Sequence, residues 1–244
     1  MKKVILLLLF PLIFAALLLT GCKKDNDSDS NPDNQNAEPY PFKTIIIPEV
    51  MAQSANPGAL MAVEYISSYN DMAAYSSMLK PPGKSVRIFY KDDGEEIYNW
   101  ETDNDSGKYT STLKIWKSDY KTTWELFVTG NLDGHELTNF KYLSAIHLND
   151  GTGDSFVVYN PATGLWHKDI NWYGDGNGND DLAFTVFEET KLHVALNSDG
   201  SGSLEYSLWV GDANMEVFKA QWNTNGHGIW WQYDDGMETG NGSW

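Results

Sequence analysis

DGTG at residues 150–153 is the first of four turn sequences with one pattern; DGNG (175–178), DGSG (199–202) and NGHG (225–228) follow. Their second residues are 25, 24 and 26 positions apart. Asp-Gly and Asn-Gly supply the positive φ angles that a tight hairpin turn needs, and the second glycine suits a following bulge. Each repeat is therefore predicted to be one β-hairpin, and all four turns should lie at the same end of the sheet.

From Ser85 onward, apolar residues recur at every second position, as in strands that turn one face toward a core. The side chains that we expect to face this core are Leu113, Ile115, Trp124, Leu126, Val128, Leu192, Val194, Leu196, Leu204, Tyr206, Leu208, Val210, Ile229, Trp231 and Tyr233. A run of hairpins predicts a mainly β fold, an up-and-down antiparallel meander of about ten strands. A sheet of that size tends to curl, so we expect a barrel or a strongly curved sheet. A two-sheet β-sandwich is the alternative, because it produces the same alternation.

Residues 57–79 are predicted to form one or two helices that pack on the sheet. Asn56 offers a capping side chain, and Pro57 suits the first helical position. Asn70-Asp71 is a point where the helix can be interrupted. Lys80-Pro81-Pro82-Gly83 then ends the segment.

The charge balance of the chain restricts its partners. The 244 residues include 17 Lys and Arg against 34 Asp and Glu, and removal of Lys2 and Lys3 with the leader described below takes the formal net charge from −17 to −19. Such a surface repels phosphate backbones and anionic membrane surfaces, so we expect no nucleic-acid partner. Cys22 is the only cysteine, which predicts a domain without disulfides, cysteine-ligated zinc or a cysteine nucleophile.

Residues 1–21 have the layout of a signal peptide. Lys2 and Lys3 precede the apolar run Val4–Leu19, which is too short to span a bilayer comfortably. The run ends in Leu19-Thr20-Gly21-Cys22, which resembles the lipobox of bacterial lipoproteins at all four positions. The resemblance implies cleavage before Cys22 and a lipid on this cysteine, so that a membrane is a partner through the lipid.

Residues 22–41 are predicted to comprise the lipidated cysteine and a disordered acidic tether, because residues 23–41 contain almost no apolar side chain. Residues 42–244 are predicted to form a single β-rich domain, with hairpin repeats over about 85–244. The acidic residues behind the cysteine resemble the tethers of uncharacterised Bacteroidetes-type surface lipoproteins. This resemblance implies export, anchorage to the bacterial outer membrane and a domain that faces outward; we identify no family for the β-rich domain itself.

Large aromatic side chains occupy positions between the predicted core residues. Trp116, Trp209 and Trp230 are the candidate ligand-binding residues on this second face, together with Phe127 and Phe218 as further aromatics. Either helices or another layer cover these rings, or some of them are exposed platforms for sugar rings or apolar ligands.

The segment that begins at Asp175 is the one candidate metal site. Asp175, Asn177, Asn179 and Asp181 offer side-chain oxygens at alternate positions, as at the start of a calcium-binding loop. A helix–loop–helix site is excluded, because position six is Asp180 rather than Gly and position twelve is Val186 rather than Glu. A structural calcium ion and a plain polar hairpin turn stay open as alternatives, and no other cofactor is expected.

No catalytic motif stands out, so we expect a protein that is not an enzyme. The chain contains no Gly-x-Ser-x-Gly elbow, no phosphate-binding loop and no paired histidines at metal-ligand spacing. The leading hypothesis is a lipid-anchored binding or structural module of the cell envelope, with a saccharide or an envelope protein as partner and aromatic rings as a glycan platform. The alternatives are a barrel-type carrier of a small apolar ligand and a hydrolase of envelope polymers.

Overall fold

The computed structural model describes residues 39–83, 85–89, 95–210 and 213–244, with the backbone alone for residues 86–89. The predicted signal peptide, Cys22 and the tether as far as residue 38 lie outside the described residues.

One antiparallel sheet of thirteen strands dominates the fold, and each strand pairs with the next strand along the chain. The strands are β1 (Val86–Phe89), β2 (Glu95–Asn104), β3 (Gly107–Lys117), β4 (Lys121–Leu132), β5 (His135–Leu148), β6 (Gly153–Tyr159), β7 (Trp166–Gly174), β8 (Asp180–Val186), β9 (Thr190–Leu196), β10 (Gly202–Val210), β11 (Ala213–Trp222), β12 (Gly228–Asp234) and β13 (Met237–Ser243).

The predicted up-and-down meander is confirmed, in the form of a curved, open sheet rather than a barrel or a sandwich. Within the described residues β1 and β13 do not pair, and all thirteen strands belong to one sheet. The predicted count of about ten strands was too low. The four Asp/Asn-Gly-x-Gly turns connect β5 to β6, β7 to β8, β9 to β10 and β11 to β12, so they lie at one end of the sheet as predicted. We call this the turn end.

The helical segment follows the prediction closely. The predicted segment forms α2 (Pro57–Asn70) and α3 (Ala73–Ser76), followed by a short 3-10 turn at Ser77–Leu79. One further turn of helix, α1 (Glu49–Ala52), was not predicted from the sequence. The Asn56 side chain caps α2 by accepting a hydrogen bond from the backbone N–H of Gly58 at 2.9 Å. Among the described residues, no helix combines the length and the apolar character needed to cross a membrane.

The core lies on one face of the sheet. Alternate side chains of β4 are buried and half-buried in turn, and β3 follows the same pattern over residues 111–116. The row Phe156, Ile170, Phe184 and Leu192 crosses β6 to β9 as directly opposed, buried neighbours. Burial of such side chains is worth about 1.5–3 kcal/mol each before the entropy cost. The opposite face, which we call the open face, carries side chains that are half-buried or exposed along β7 to β10.

Helix α2 covers the core face with an aromatic seam. The Tyr65 ring stacks on Tyr206 of β10, with centroids 3.9 Å apart and planes 13° from parallel. Tyr69 contacts Trp172 and Phe184, with centroids at 6.4 and 6.1 Å. Tyr65 and Tyr69 of α2 therefore pack on the sheet, as predicted for the helices of residues 57–79.

Residues 39–47, which we call the strap, cover the adjoining part of the core face. Tyr40 and Ile45 are buried, and the Tyr40 ring meets Trp124 and Phe156 with centroids 5.4 and 5.5 Å apart. The Asn70 side chain donates to the carbonyl oxygen of Ile45 at 2.9 Å and accepts from its N–H at 2.8 Å. Asn70, at the end of α2, thus holds the strap in place. Its side chain forms with Ile45 the two backbone hydrogen bonds that a neighbouring strand would otherwise form.

The predicted phase of β12 was wrong by one residue. Ile229 was expected in the core and is 43% exposed, whereas Trp230 was expected on the second face and is only 9% exposed. Trp230 lies on the core face opposite Ala220 and stacks near Phe218, which is also buried rather than on the second face. The alternation of apolar residues does not show whether residue 229 or residue 230 faces the core, because residues 229–231 are all large and apolar.

Glycine at the start of α2 makes room for this ring. A Cβ atom at Gly58 would lie 2.0 Å from Cγ of Trp230, far inside van der Waals contact. The helix therefore approaches β12 more closely than any side chain at this position would allow.

We expect Gly58→Ala to lower the free energy of unfolding by about 1–3 kcal/mol, the usual cost of overpacking, despite the better helix propensity of alanine. Gly83→Ala is the matched control, because a Cβ atom there meets nothing within 4 Å. Urea unfolding followed by tryptophan fluorescence measures both variants. Equal stability of the two variants would contradict close packing of α2 on Trp230.

Candidate functional site

Trp116 lies on the open face, where it was predicted to lie. It is half-buried and stands opposite Thr123 in the β3–β4 register. The ammonium group of Lys114 lies 6.0 Å from the Trp116 ring centroid and 5.3 Å from the Phe127 centroid. Lys141 lies 6.0 Å from the same Phe127 ring and forms an ion pair with Glu125 at 2.6 Å. The lysines give this aromatic patch cation–π contacts that each contribute about 0.5–1 kcal/mol at exposed sites.

Trp209 is also accessible but stands apart from Trp116. It is 36% exposed near the end of β10, and its backbone N–H donates to the carbonyl oxygen of Glu189 at 2.9 Å. Seven strand spacings separate β3 from β10, which is about 34 Å along the sheet. The structure therefore does not bring Trp116, Trp209 and Trp230 together: two rings are far apart, and the third is buried under α2.

The candidate calcium residues use their oxygens within the turn. One carboxylate oxygen of Asp175 accepts from the backbone N–H groups of Asn177 and Asn179 at 2.7 and 3.1 Å, and the other accepts from the Asn179 amide at 2.6 Å. The Asn179 side-chain oxygen accepts from the Ser198 N–H at 3.0 Å, and Asp181 lies 2.8 Å from His193. The hydrogen bonds from the Asn179 side chain and from Asn177 lower the pKa of Asp175. Among the described residues, no group of three or more His, Cys, Asp and Glu side chains could hold a metal ion.

A charged cluster that the sequence did not reveal lies beneath the strap. Lys43 Nζ is 2.6 Å from Asp180 Oδ1, and the Trp172 indole N–H donates to the same oxygen at 3.0 Å. The lysine also lies over the Trp172 ring, 4.4 Å from its centroid. Beside this pair, His147 Nδ1 and Asp154 Oδ1 are 2.5 Å apart. Four charged or ionisable side chains thus meet on the apolar face of the sheet.

Burial raises the pKa of Asp154, while its hydrogen bond with His147 and the nearby Lys43 charge oppose the increase. The Asp154 and Asp180 side chains are 10% and 16% exposed, so protein groups rather than water surround most of each carboxylate. The Lys43–Asp180 ion pair therefore links the strap to β8, and the His147–Asp154 contact beside it links β5 to β6.

We expect Lys43→Met to lower the free energy of unfolding by about 1–2 kcal/mol, because the mostly buried Asp180 carboxylate would lose its cationic partner. The matched control is Lys108→Met: Lys108 Nζ lies 3.7 Å from Asp103 and both side chains are more than 70% exposed. That change should cost less than about 0.5 kcal/mol. Similar losses in the two variants, measured by urea unfolding, would show that the strap does not depend on this ion pair.

Lys168 is a second cation on the core face. It stands opposite Val158 and Val186, and its ammonium group lies 5.1 Å from the Tyr75 ring centroid. Burial lowers the pKa of Lys168, and the carboxylates of Glu189 and Asp71 act in the opposite direction. The folded protein consequently holds this proton less tightly than the unfolded chain does.

Removal of this charge should stabilise the protein. Below the pKa that Lys168 has in the folded protein, the buried charge makes folding less favourable. This destabilisation disappears as the pH rises from that lowered pKa to the ordinary value of 10.5. We therefore expect Lys168→Met to raise the thermal midpoint at neutral pH and to raise it less at alkaline pH. Lys191→Met, an exposed change on β9, should leave the midpoint unaltered. A lower midpoint for Lys168→Met would contradict this account.

Two tryptophans clamp the turn end of the last hairpins. The Trp222 indole N–H donates to the carbonyl oxygen of Gly200 at 3.2 Å, and Trp244 donates to that of Gly226 at 2.7 Å. Each ring covers the second glycine of the same turn: a Cβ at Gly202 or Gly228 would lie 2.5 or 2.2 Å from the ring. The second glycine of each turn therefore also leaves the space that an aromatic ring from the next hairpin occupies.

A shallow depression of about 630 Å³ lies between these turns and opens to solvent. We call it the turn-end depression. The residues that border it include Asp199, Gln221, Trp222, Asn223, His227 and Trp244. Its volume is within the range of about 300–1,000 Å³ that is common for ligand sites.

Comparison with known proteins places no family name on this arrangement. No protein-family model matches the chain, and no curated protein matches it significantly.

The sequence reading missed the residues of the strap cluster and of the depression. Lys43 and Asp180 are 137 residues apart, and no local pattern pairs them. The recurrence of tryptophan 20 residues after Gly202 and 16 residues after Gly228 was the one available signal for the clamp. It becomes interpretable only when the strand register is known.

Proposed function

We propose that this protein is a lipid-anchored, non-enzymatic lipoprotein of the bacterial envelope that acts as a binding or structural module. The observation that carries the proposal is the one-sided sheet. The strap and α2 cover the core face, while the alternate side chains of β7 to β10 stay half-buried or exposed on the open face. A broad, rigid and partly hydrated surface suits contact with another molecule.

The sequence of the first 41 residues supports the location. Leu19-Thr20-Gly21-Cys22 has the lipobox pattern, and we propose that the polar residues 23–38, between it and the strap, act as a flexible stalk of roughly 20–24 Å on a random-coil scale. We propose that Cys22 carries the lipid, that the anchor lies in the outer membrane and that the domain faces outward. Several acyl chains on one cysteine give a durable anchor, at about 0.8 kcal/mol for each buried CH₂.

Glycan binding by exposed aromatic rings is the finer form of this proposal. Trp116 and Trp209 retain accessible rings on the open face, and the lysines beside Trp116 add polar groups to its edge. Trp230 is not part of this version, because α2 covers it. The distance between the two remaining rings makes them separate contacts rather than one groove.

The two alternative functions receive less support. A carrier of an apolar ligand requires an enclosed interior, whereas the open sheet packs its apolar face against α2 and the strap. A hydrolase requires a pair of carboxylates in a cleft, and the buried Asp154 and Asp180 are engaged with His147 and with Lys43 and Trp172.

Labelling with radioactive palmitate in a Gram-negative host tests the anchor. We expect the full chain to incorporate label and to fractionate with outer membranes, and Cys22→Ser to incorporate none. Ser28→Ala, a neutral change in the predicted tether, is the matched control and should be labelled like the unaltered chain. An unlabelled chain with an intact Cys22 would overturn the proposed anchorage.

A further inference from the structure

We propose that Asn177, in the turn between β7 and β8, is a modification site at which the side-chain amide is lost to water by spontaneous deamidation. In this reaction the backbone nitrogen of the next residue attacks the side-chain carbonyl carbon of an asparagine. Glycine favours the attack, because it has no side chain to block the approach and its backbone is the most permissive. The chain contains three Asn-Gly pairs, at 177–178, 225–226 and 241–242, and the fold treats them differently.

The pair at 225–226 is protected by its turn. The Gly226 N–H, which would have to attack Asn225, donates to the carbonyl oxygen of Asn223 at 2.8 Å. Gly226 is also buried. Its nitrogen can attack only after the turn has opened.

The pair at 241–242 is protected by the sheet. Gly242 lies opposite Trp230 in the β12–β13 ladder. Gly228 and Trp244, two positions further along the two strands, exchange both of their backbone hydrogen bonds. Because such pairs alternate along an antiparallel ladder, the Gly242 N–H donates to the carbonyl oxygen of Trp230 and is not available to attack Asn241.

The pair at 177–178 lies in a turn that departs from its three siblings. In the other turns the first glycine donates its N–H across the turn, to the carbonyl oxygen of Leu148, Asn197 or Asn223. In the β7–β8 turn, neither Gly176 nor Gly178 donates its N–H to any described residue. The attacking nitrogen of Gly178 is therefore free.

The side chain of Asn177 is accessible as well. Asn177 and Gly178 are both exposed, so water reaches the pair. The Asn177 amide nitrogen lies 3.4 Å from the carbonyl oxygen of Asp175, which is long for a hydrogen bond. The glycines on both sides of Asn177 give its backbone the rotational freedom that ring closure needs.

Asp175 also precedes a glycine but does not compete. The hydrogen bonds from Asn179 and Asn177 lower the pKa of Asp175, so its carboxyl group is ionised at neutral pH. An ionised carboxylate resists attack by a backbone nitrogen. The reaction in this turn is thereby directed to the neutral amide of Asn177.

The reaction needs no partner other than water. The bond from the Gly178 nitrogen to Cγ of Asn177 forms and the Cγ–Nδ2 bond breaks, and the amide nitrogen takes the glycine proton and leaves as ammonia. Water then opens the resulting succinimide ring at either carbonyl, which gives aspartate or isoaspartate. Both products add a negative charge, and isoaspartate also lengthens the main chain by one carbon next to Asn179, whose side chain accepts from the Ser198 N–H at 3.0 Å.

The test is incubation of the folded full chain in detergent micelles at mildly alkaline pH, followed by tryptic peptide mapping. Trypsin cleaves after Lys168, Lys191 and Lys219. The first Asn-Gly pair therefore lies in peptide 169–191, and the other two lie together in peptide 220–244. Fragment masses detect the exchange of NH₂ for OH, locate the residue and distinguish isoaspartate from aspartate.

We expect Asn177 to deamidate at least about tenfold faster than Asn225 or Asn241, because those two pairs must first open a hydrogen-bonded turn or strand. The control is the same chain in urea, where the three pairs should react at similar rates because the fold no longer separates them. Asn177→Gln should abolish the change in peptide 169–191, since glutamine would have to close a larger ring, and should leave peptide 220–244 as in the unaltered chain.

Two results would overturn the inference. One is deamidation of Asn225 or Asn241 in the folded chain at the rate of Asn177. The other is an Asn177 that reacts in urea but stays intact in the folded chain. Neither result bears on the proposed function, which has its own readout in the palmitate on Cys22.

Discussion

The apolar face of an open sheet can leave water only under another part of the same chain, and this requirement organises the whole molecule. Within the described residues the sheet does not close on itself, so α2 and the strap must supply the second layer. The stacking of Tyr65 on Tyr206 and the close approach of Gly58 to Trp230 set how near the helix comes. Once this layer is in place, the other face of the sheet is left as the available surface, and only rings outside the cover can meet a ligand.

The turns of the meander were readable from the sequence because their chemistry is local. Asp-Gly and Asn-Gly pairs prescribe positive φ angles whatever surrounds them, and Gly151, Gly176, Gly200 and Gly226 all have φ between 74° and 85°. The helix boundaries were readable for the same reason, since the Asn56 cap and Pro57 act within one turn. The strand count was underestimated although further Asp-Gly turns are present, because Asp133-Gly134 (β4 to β5) and Asp235-Gly236 (β12 to β13) lack the second glycine of the repeat pattern.

The candidate site was less predictable, because it depends on contacts between distant residues. Alternation predicts two faces but not which face is buried when adjacent residues are both large, as at Trp230 and Trp231. The three-dimensional choice follows from the small residues Gly58, Gly240 and Gly242, each of which lies against the Trp230 ring. Lys43 and Asp180 likewise meet only because the strap crosses the sheet. Long-range packing thus overrides the local pattern at Trp230 and pairs Lys43 with Asp180.

Because each repeat is one complete hairpin, duplication of a repeat would add two strands and about 10 Å of sheet width without reversing the direction of the final strand. The clamped turns would stay at the same end, so the sheet itself is suited to growth by gene duplication. The helical layer is not: α2 has 14 residues and a length of about 21 Å, and the rings that it packs against lie within the six strands from β7 (Trp172) to β12 (Trp230). A longer relative would therefore need a longer helix or a second covering segment, so the cover, rather than the repeat, limits the size that this architecture can reach.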